Sequence, residues 1–335
     1  MYNIIQKRKI WLSFSSLMVV LSIAAISIWG LNLGIDFTGG ALLEVKFSED
    51  RPAVTEVQAV VENLELGSSV VQPVEEKGMI IRYQETSEEK HQELVEALVV
   101  MVAPSDEEVS EETGVKVEGD TIVVDENTKE LNLGEIANKK AEVRVEELRF
   151  ESVGPVIGEE LKSKSLYAMF IVLVAIVLYI AWAFRKVSKP VASWKYGLSA
   201  LVALFHDVII TVGVFSVLGE FYNIEINTPF VAALLTVLGY SVNDTIVVFD
   251  RVRENLPRSN DEFEKTVNTS VNQTIQRSIN TSVTTLVVLL SIVFFGGDTI
   301  RDFVTALSIG VLIGTYSSIF LASPLLVVWE KFGEK

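Results

Sequence analysis

The sequence predicts a helical membrane bundle of roughly six spans, with one water-exposed α+β domain between the first span and the second. Three observations predict it. Apolar runs of span length recur along the chain, and 49% of its 335 residues are hydrophobic, with a mean hydropathy of +0.38. The net charge of −16 is confined, because roughly thirty of the 44 acids fall between positions 36 and 160, outside those runs. Within that acidic stretch the apolar residues follow strand and helix periods instead of continuous runs. Acid so placed describes a soluble domain and argues against nucleic-acid binding. The chain has no cysteine, so no disulfide framework, thiol chemistry or Cys-based zinc site is available.

Taken in order, Lys7, Arg8 and Lys9 precede an apolar run over 10–30. Its length and the lack of a convincing small-residue cleavage site favour a retained first helix over a signal peptide, with the N-terminus in the cytoplasm. GIDFTGG (34–40) follows, and its glycines suit a tight entry into a strand. It lacks the strand-before, helix-after context of a phosphate loop, so nucleotide binding is rejected there. Alternation predicts strands over 41–47, 69–74 and 79–84, with helices over 52–64 and after Ser87, the latter presenting Leu94, Leu98 and Met101. A closing strand over about 143–150 completes the split βαβ, ferredoxin-like order. Between them, 104–140 is acidic and less periodic, with a small hairpin read around Glu118–Gly119–Asp120. It lacks the ligand spacing of a calcium loop and reads as a solvated insert.

GPVIG (154–158) precedes the second apolar run, 167–184. Arg185, Lys186, Lys189 and Lys195 then crowd a short acid-free loop, which places that loop and both termini in the cytoplasm. Span three covers about 196–218 and span four opens at Pro229. The polar stretch about 252–277, with Phe263, Val267 and Val271 one turn apart, reads as a cytoplasmic helix lying on the membrane surface. Span five covers about 279–295 and span six about 303–328, the last carrying Gly310 and Gly314 in GxxxG spacing, for a partner face or for internal packing. The divisions are 1–32, 33–161 and 162–335.

Span four is the stretch around which the rest is arranged, because Asn243 and Asp244 sit inside an apolar run. A carboxylate at that depth is costly unless it faces a partner, water or a pathway. Asp207 in span three, beside His206, and Arg277 at the start of span five lie at membrane depth or its edge. These are the parts of a proton relay; they are also the parts of a static polar network, and spacing does not separate the two. His206 has no second ligand at metal-binding helical spacing and reads as a packed, hydrogen-bonded side chain.

Several motifs resemble, in order, those of SecF members of the SecD/SecF protein-export family, within the RND-like superfamily. GIDFTGG resembles the family's entry motif and RFESVGPVIG its exit motif from the external domain. FHDVIITVG, GYSVNDTIVVFDRVREN, QTIQRSINTSVTT and IGTYSSI resemble its membrane segments. The resemblance covers both ends of the external domain and all of the membrane part. It implies a non-enzymatic subunit of a bacterial cytoplasmic (inner) membrane, without cofactor or metal. With SecD and the SecYEG translocon, and with YajC as a further candidate partner, such a subunit uses the proton-motive force to help complete translocation of unfolded polypeptide. It puts the proton-relay carboxylate on Asp244 and the functional arginine on Arg277, with Asn243 and Asp207 as accompanying polar positions. It makes Gly34, Asp36, Gly39 and Gly40 motif residues at the entry, and Gly154, Pro155 and Gly158 at the exit. The rivals are an RND-type exporter of small molecules and a purely structural assembly subunit.

Overall fold

The computed structural model describes residues 2–84, 86–102, 144–185 and 192–333. The chain forms two compact units, one of Met1–Gly34 with Leu161–Lys335, the other of Ile35–Glu160. The small hairpin expected near residue 119 lies outside the described residues.

The second unit starts with a four-residue helix, α2 (Ile35–Thr38), which the reading of a plain strand entry did not foresee. Then come β1 (Gly40–Phe47), α3 (Val54–Asn63), β2 (Ser69–Val74), β3 (Gly78–Tyr83), α4 (Glu88–Met101) and β4 (Val145–Val153). The sheet order is β2-β3-β1-β4 and every neighbouring pair is antiparallel, the split βαβ arrangement. Period-two alternation puts Ala41, Leu43, Val45 and Phe47 on one face, where they meet Val57 and Val61 of α3 and Leu94 and Leu98 of α4. Leu43 sits between Ile81 and Phe150 in register.

Entry and exit motifs interlock inside this unit. Gly39 and Gly40 have φ of +73° and +123°, which glycine adopts without strain. A Cβ on Gly39 would come within 2.7 Å of Pro155 Cα, and one on Gly158 within 3.0 Å of the Gly39 nitrogen. Pro155 is the first residue of α5 (Pro155–Ala183), where its missing N–H costs nothing. Asp36 lies in the first turn of α2. Gly154 meets no neighbour within 4 Å, so packing does not demand glycine there.

Six helices among the described residues are long and apolar enough to cross a membrane. They begin with α1 (Arg8–Trp29) and α5, followed by α6 (Ser193–Tyr222), α7 (Thr228–Asn255), α8 (Phe263–Phe295) and a last helix in three parts. That last one is α9 (Asp298–Ser317), a π-helical turn (Ser318–Ala322) and α10 (Ser323–Gly333). Local chemistry sets several ends. Asn227 caps α7 by accepting a hydrogen bond from the Phe230 N–H at 3.1 Å, with Pro229 in the first turn. Asn223 ends α6 in the left-handed conformation. Gly34 belongs to the bundle unit, where its N–H donates to the Ile226 carbonyl.

The structure corrects the reading of 252–277 as a separate surface helix. Residues to Asn255 complete α7, a 3₁₀ turn covers Leu256–Arg258, and α8 runs unbroken from Phe263 to Phe295. Phe263, Val267 and Val271 are buried in the bundle core and do not form a lipid-facing stripe. Their one-turn spacing is the same for either face; neighbours on the other side decide it. Those neighbours include the N-terminal segment: Asn268 Oδ1 accepts from the Ile4 and Ile5 N–H groups, while Arg8 and Lys331 both pair with Glu264. The glycines of the GxxxG spacing pack internally. A Cβ on Gly310 would run into Val237, and one on Gly314 would come within 2.9 Å of Ser241 Cβ.

Candidate functional site

The polar residues of the bundle gather on α6, α7, α8 and the π turn. Asp207, near the middle of α6, is fully buried. Its Oδ2 accepts from Ser241 Oγ at 2.6 Å and Ser317 Oγ at 2.8 Å, and its Oδ1 accepts from His206 Nδ1 at 2.9 Å. One donor comes from α7, one from the end of α9 and one from its own helix, so the carboxylate ties three helices together. Ser317 is the last residue of α9, directly before the π turn. Ser318 continues the chain of hydroxyls, sharing a 2.8 Å bond with Thr245 Oγ1 and donating to the Ser241 carbonyl at 3.2 Å. Such wide turns recur at functional sites because they turn a side chain out of the regular helical phase.

Asp244 lies one turn beyond Ser241 on α7 and is buried. Ser278 Oγ of α8 donates to its Oδ1 at 2.7 Å. Its Oδ2 is also buried and has no hydrogen-bond partner among the described residues. Buried polar atoms are nearly always paired, so this oxygen marks a place where a proton, a water or a further donor belongs. Arg277 precedes Ser278 but is exposed, and no ion pair within 4 Å joins it to Asp244. Asn243 is exposed on the other side of α7 and does not join the cluster. The structure therefore brings Asp207 and Asp244 into one hydroxyl-linked region, leaves Arg277 at its edge and turns Asn243 away.

The sequence reading took Ser241, with Gly239, only as a small residue that lets another helix approach, and passed over the other hydroxyls that do the positioning: Thr245, Ser278, Ser317 and Ser318. A signal existed. Ser241, Asp244 and Thr245 share one helix face at i, i+3 and i+4, and small hydroxyl residues inside a span commonly bond across helices.

Comparison with known proteins bears on the same residues. Residues 134–332 match the family of the protein export membrane protein SecD/SecF, C-terminal, and residues 25–50 match the SecD/SecF GG motif. The chain belongs to the SecD/SecF family. A protein translocase subunit SecF of Thermobaculum terrenum is 40% identical to it over 98% of this chain and 94% of the relative. Another, of Anaerolinea thermophila, is 36% identical over the same shares, 98% and 94%. Among solved structures, SecDF from Thermus thermophilus, described as a translocon-associated membrane protein, superposes with a TM-score of 0.75 at 30% identity. That match covers 98% of this chain and 39% of the SecDF chain, so the present chain spans well under half of that structure's length. The GG-motif match falls on Gly39 and Gly40, whose left-handed backbone only glycine holds easily. The C-terminal match contains Asp207, Asn243, Asp244 and Arg277. The small-molecule exporter rival is set aside by this family membership.

Proposed function

We propose that this SecD/SecF-family chain is a non-enzymatic accessory subunit of the Sec protein-export machinery and that Asp244 is its proton-carrying residue. It sits as a multi-pass protein in a bacterial cytoplasmic membrane, both termini inside and the 33–161 domain outside. It pairs with SecD, works beside SecYEG with YajC as a further candidate partner, and helps complete translocation of unfolded polypeptide at the expense of the proton-motive force. The observation that carries this reading is Asp244 itself: a carboxyl at membrane depth with one oxygen held by Ser278 and the other buried and unpaired. A purely packing role would favour a carboxylate satisfied on both oxygens, as Asp207 is.

The working cycle follows from charge and distance. With Arg277 swung against it, the Asp244 carboxylate faces a cation; with Arg277 withdrawn, its unpaired oxygen is open to take a proton. Proton supply from outside biases these two arrangements, and a ligand or ion can shift a two-state equilibrium only by its differential affinity for the two. Pairing with SecD is supported by a polar face that no described residue of this chain covers. Thr236 and Asn243 on α7, and Arg277, Asn280, Thr281 and Thr284 on α8, are all exposed. Polar groups at membrane depth face a bundle interior or a cavity, not lipid.

The test is precursor completion in vesicles containing the chain with SecD, with and without a proton gradient. Asp244→Asn keeps volume and hydrogen-bonding capacity and removes titration; it should assemble normally and lose the gradient-dependent part of export. Arg277→Lys keeps the charge but loses the planar fork, and should be impaired. Full gradient dependence in Asp244→Asn would end the relay reading in favour of a packing role.

A further inference from the structure

A groove of about 380 Å³ opens between α1 and α6. Ser15, Ser16, Val19 and Val20 form one wall, Val202, Phe205, His206 and Ile209 the other, and Leu321 of the π turn closes one side. His206 is only 4% exposed, and its two nitrogens have opposite fates. Nδ1 lies 2.9 Å from Asp207 Oδ1, whereas Nε2 is buried and unpartnered among the described residues. A neutral imidazole carries one N–H and one lone pair. With Nδ1–H donating to the carboxylate, the bare lone pair is on Nε2, the end of the ring away from Asp207.

We propose that the His206–Asp207 pair is a second proton-binding site of the bundle, with Nε2 as its port and the groove between α1 and α6 as its approach. This rests on the relay reading of the bundle and adds a group to it. The step balances. A hydronium in the groove gives its proton to the Nε2 lone pair and becomes water, and the Nδ1 proton passes along the hydrogen bond to Asp207 Oδ1. The imidazole ends neutral in its other tautomer and the carboxyl ends neutral, so the pair has gained one proton; the reverse sequence discharges it. The groove is large enough for several waters at roughly 30 Å³ each; its walls are mostly valine, phenylalanine, isoleucine and leucine, so a held water is confined to the end where Ser15, Ser16 and the imidazole offer polar partners. Among the described residues, the titratable groups facing His206 are Asp207 on its own helix and Tyr316 on α9, whose ring stacks at 6.1 Å. On the α1 side the groove is lined by Ser15, Ser16, Val19 and Val20, none of which titrates. Tyr316 Oη is engaged with Ser15 Oγ at 3.0 Å, and His206 is itself one of the residues that line the groove. From Asp207 the Ser241 and Ser317 hydroxyls lead on to α7 and the π turn.

The chain has two histidines, so ring-nitrogen magnetic resonance is directly readable. The sample is the full chain with SecD in lipid bilayers, labelled with ¹⁵N-histidine, and His206→Asn identifies the His206 signals by difference. Across samples prepared from alkaline to acidic pH, Nε2 should be found bare in some and protonated in others, as a site that loads and releases a proton there requires. A single neutral tautomer throughout that range would overturn the proposal. Val202→Trp, which fills the groove, should slow exchange of the Nε2 proton with water; unchanged exchange would overturn the groove as the approach. His206→Asn keeps a donor to Asp207 and removes the ionisable ring, and should lose gradient-dependent export while assembling normally. Asp244→Asn in the same assay separates the two ideas. If it retains the gradient dependence, the relay reading fails. If it loses it while His206→Asn keeps it, only the second site fails.

Discussion

Replacing Asp207 by leucine tests the cluster by the sign of its effect on stability. The wild-type carboxyl accepts three hydrogen bonds in a site with no solvent exposure. Asp207→Leu removes all three acceptor contacts at once. Ser317 already shares its hydroxyl with the Gly314 carbonyl at 3.1 Å, and Ser241 can turn to a carbonyl of its own helix, so the serines lose little. His206 keeps a buried ring nitrogen at the vacated position unpaired in either tautomer, and a stranded buried polar atom costs about 1–3 kcal/mol. Leucine also brings branched bulk into a filled site, for about another 1–3 kcal/mol. The sum is a destabilisation of about 2–6 kcal/mol, with Asp207→Asn, which keeps an acceptor oxygen, falling well below it. The assay is reversible unfolding of the purified chain in mixed micelles, followed by tryptophan fluorescence. The opposite sign is physically available, since replacing a buried charge by an apolar side chain is often neutral or stabilising. A leucine variant as stable as wild type, or more so, would refute the idea that Asp207 is a hydrogen-bond hub across three helices.

Other expectations follow from the same geometry. Leu43→Ala, in the middle strand face of the sheet and fully buried, should cost the isolated 35–160 domain about 2–5 kcal/mol in urea unfolding, and that domain should unfold cooperatively. Tyr83 is the sole tyrosine between positions 35 and 160; burial, with the Glu147 and Glu88 carboxylates adding to it, pushes its hydroxyl up to about 12 from 10.0. Because the folded state favours the neutral phenol, its contribution to stability is full below pH 10 and is lost as pH rises toward about 12, which tyrosinate absorbance and urea midpoints would track together. A tyrosinate transition at the unfolded position would count against the buried placement. Gly310→Leu should separate α9 from α7 by driving a side chain into Val237, lowering the melting temperature, whereas Gly154→Ala, with nothing within 4 Å, should be tolerated.

The sequence by itself determined the four strands, the two helices packed on them and the six apolar spans in their order, but not α2, the unbroken α8 or the π turn. Apolar runs become helices because backbone groups in a bilayer must pair internally, and a helix does this within one segment. Leu43, Val45 and Phe47 face one way because strand side chains alternate, whatever lies opposite them. Gly39 and Gly40 were legible as special because a left-handed backbone needs glycine locally. Asp244 was legible as costly because its neighbours in the chain are apolar. Only the tertiary structure decided which way each helix is turned. Asn243 and Asp244 are adjacent, yet one is exposed and the other buried against Ser278, because consecutive helical residues point about 100° apart. The stripe of Phe263, Val267 and Val271 suits a membrane surface or a core equally until the N-terminal segment and α7 pack on it. Ser317 and Ser318, at the junction of α9 and the π turn, meet partners on α6 and α7 that lie far away in the chain. Local spacing fixes a side chain's phase on its own helix; the neighbour that this phase meets is set by packing between helices, which no single segment encodes.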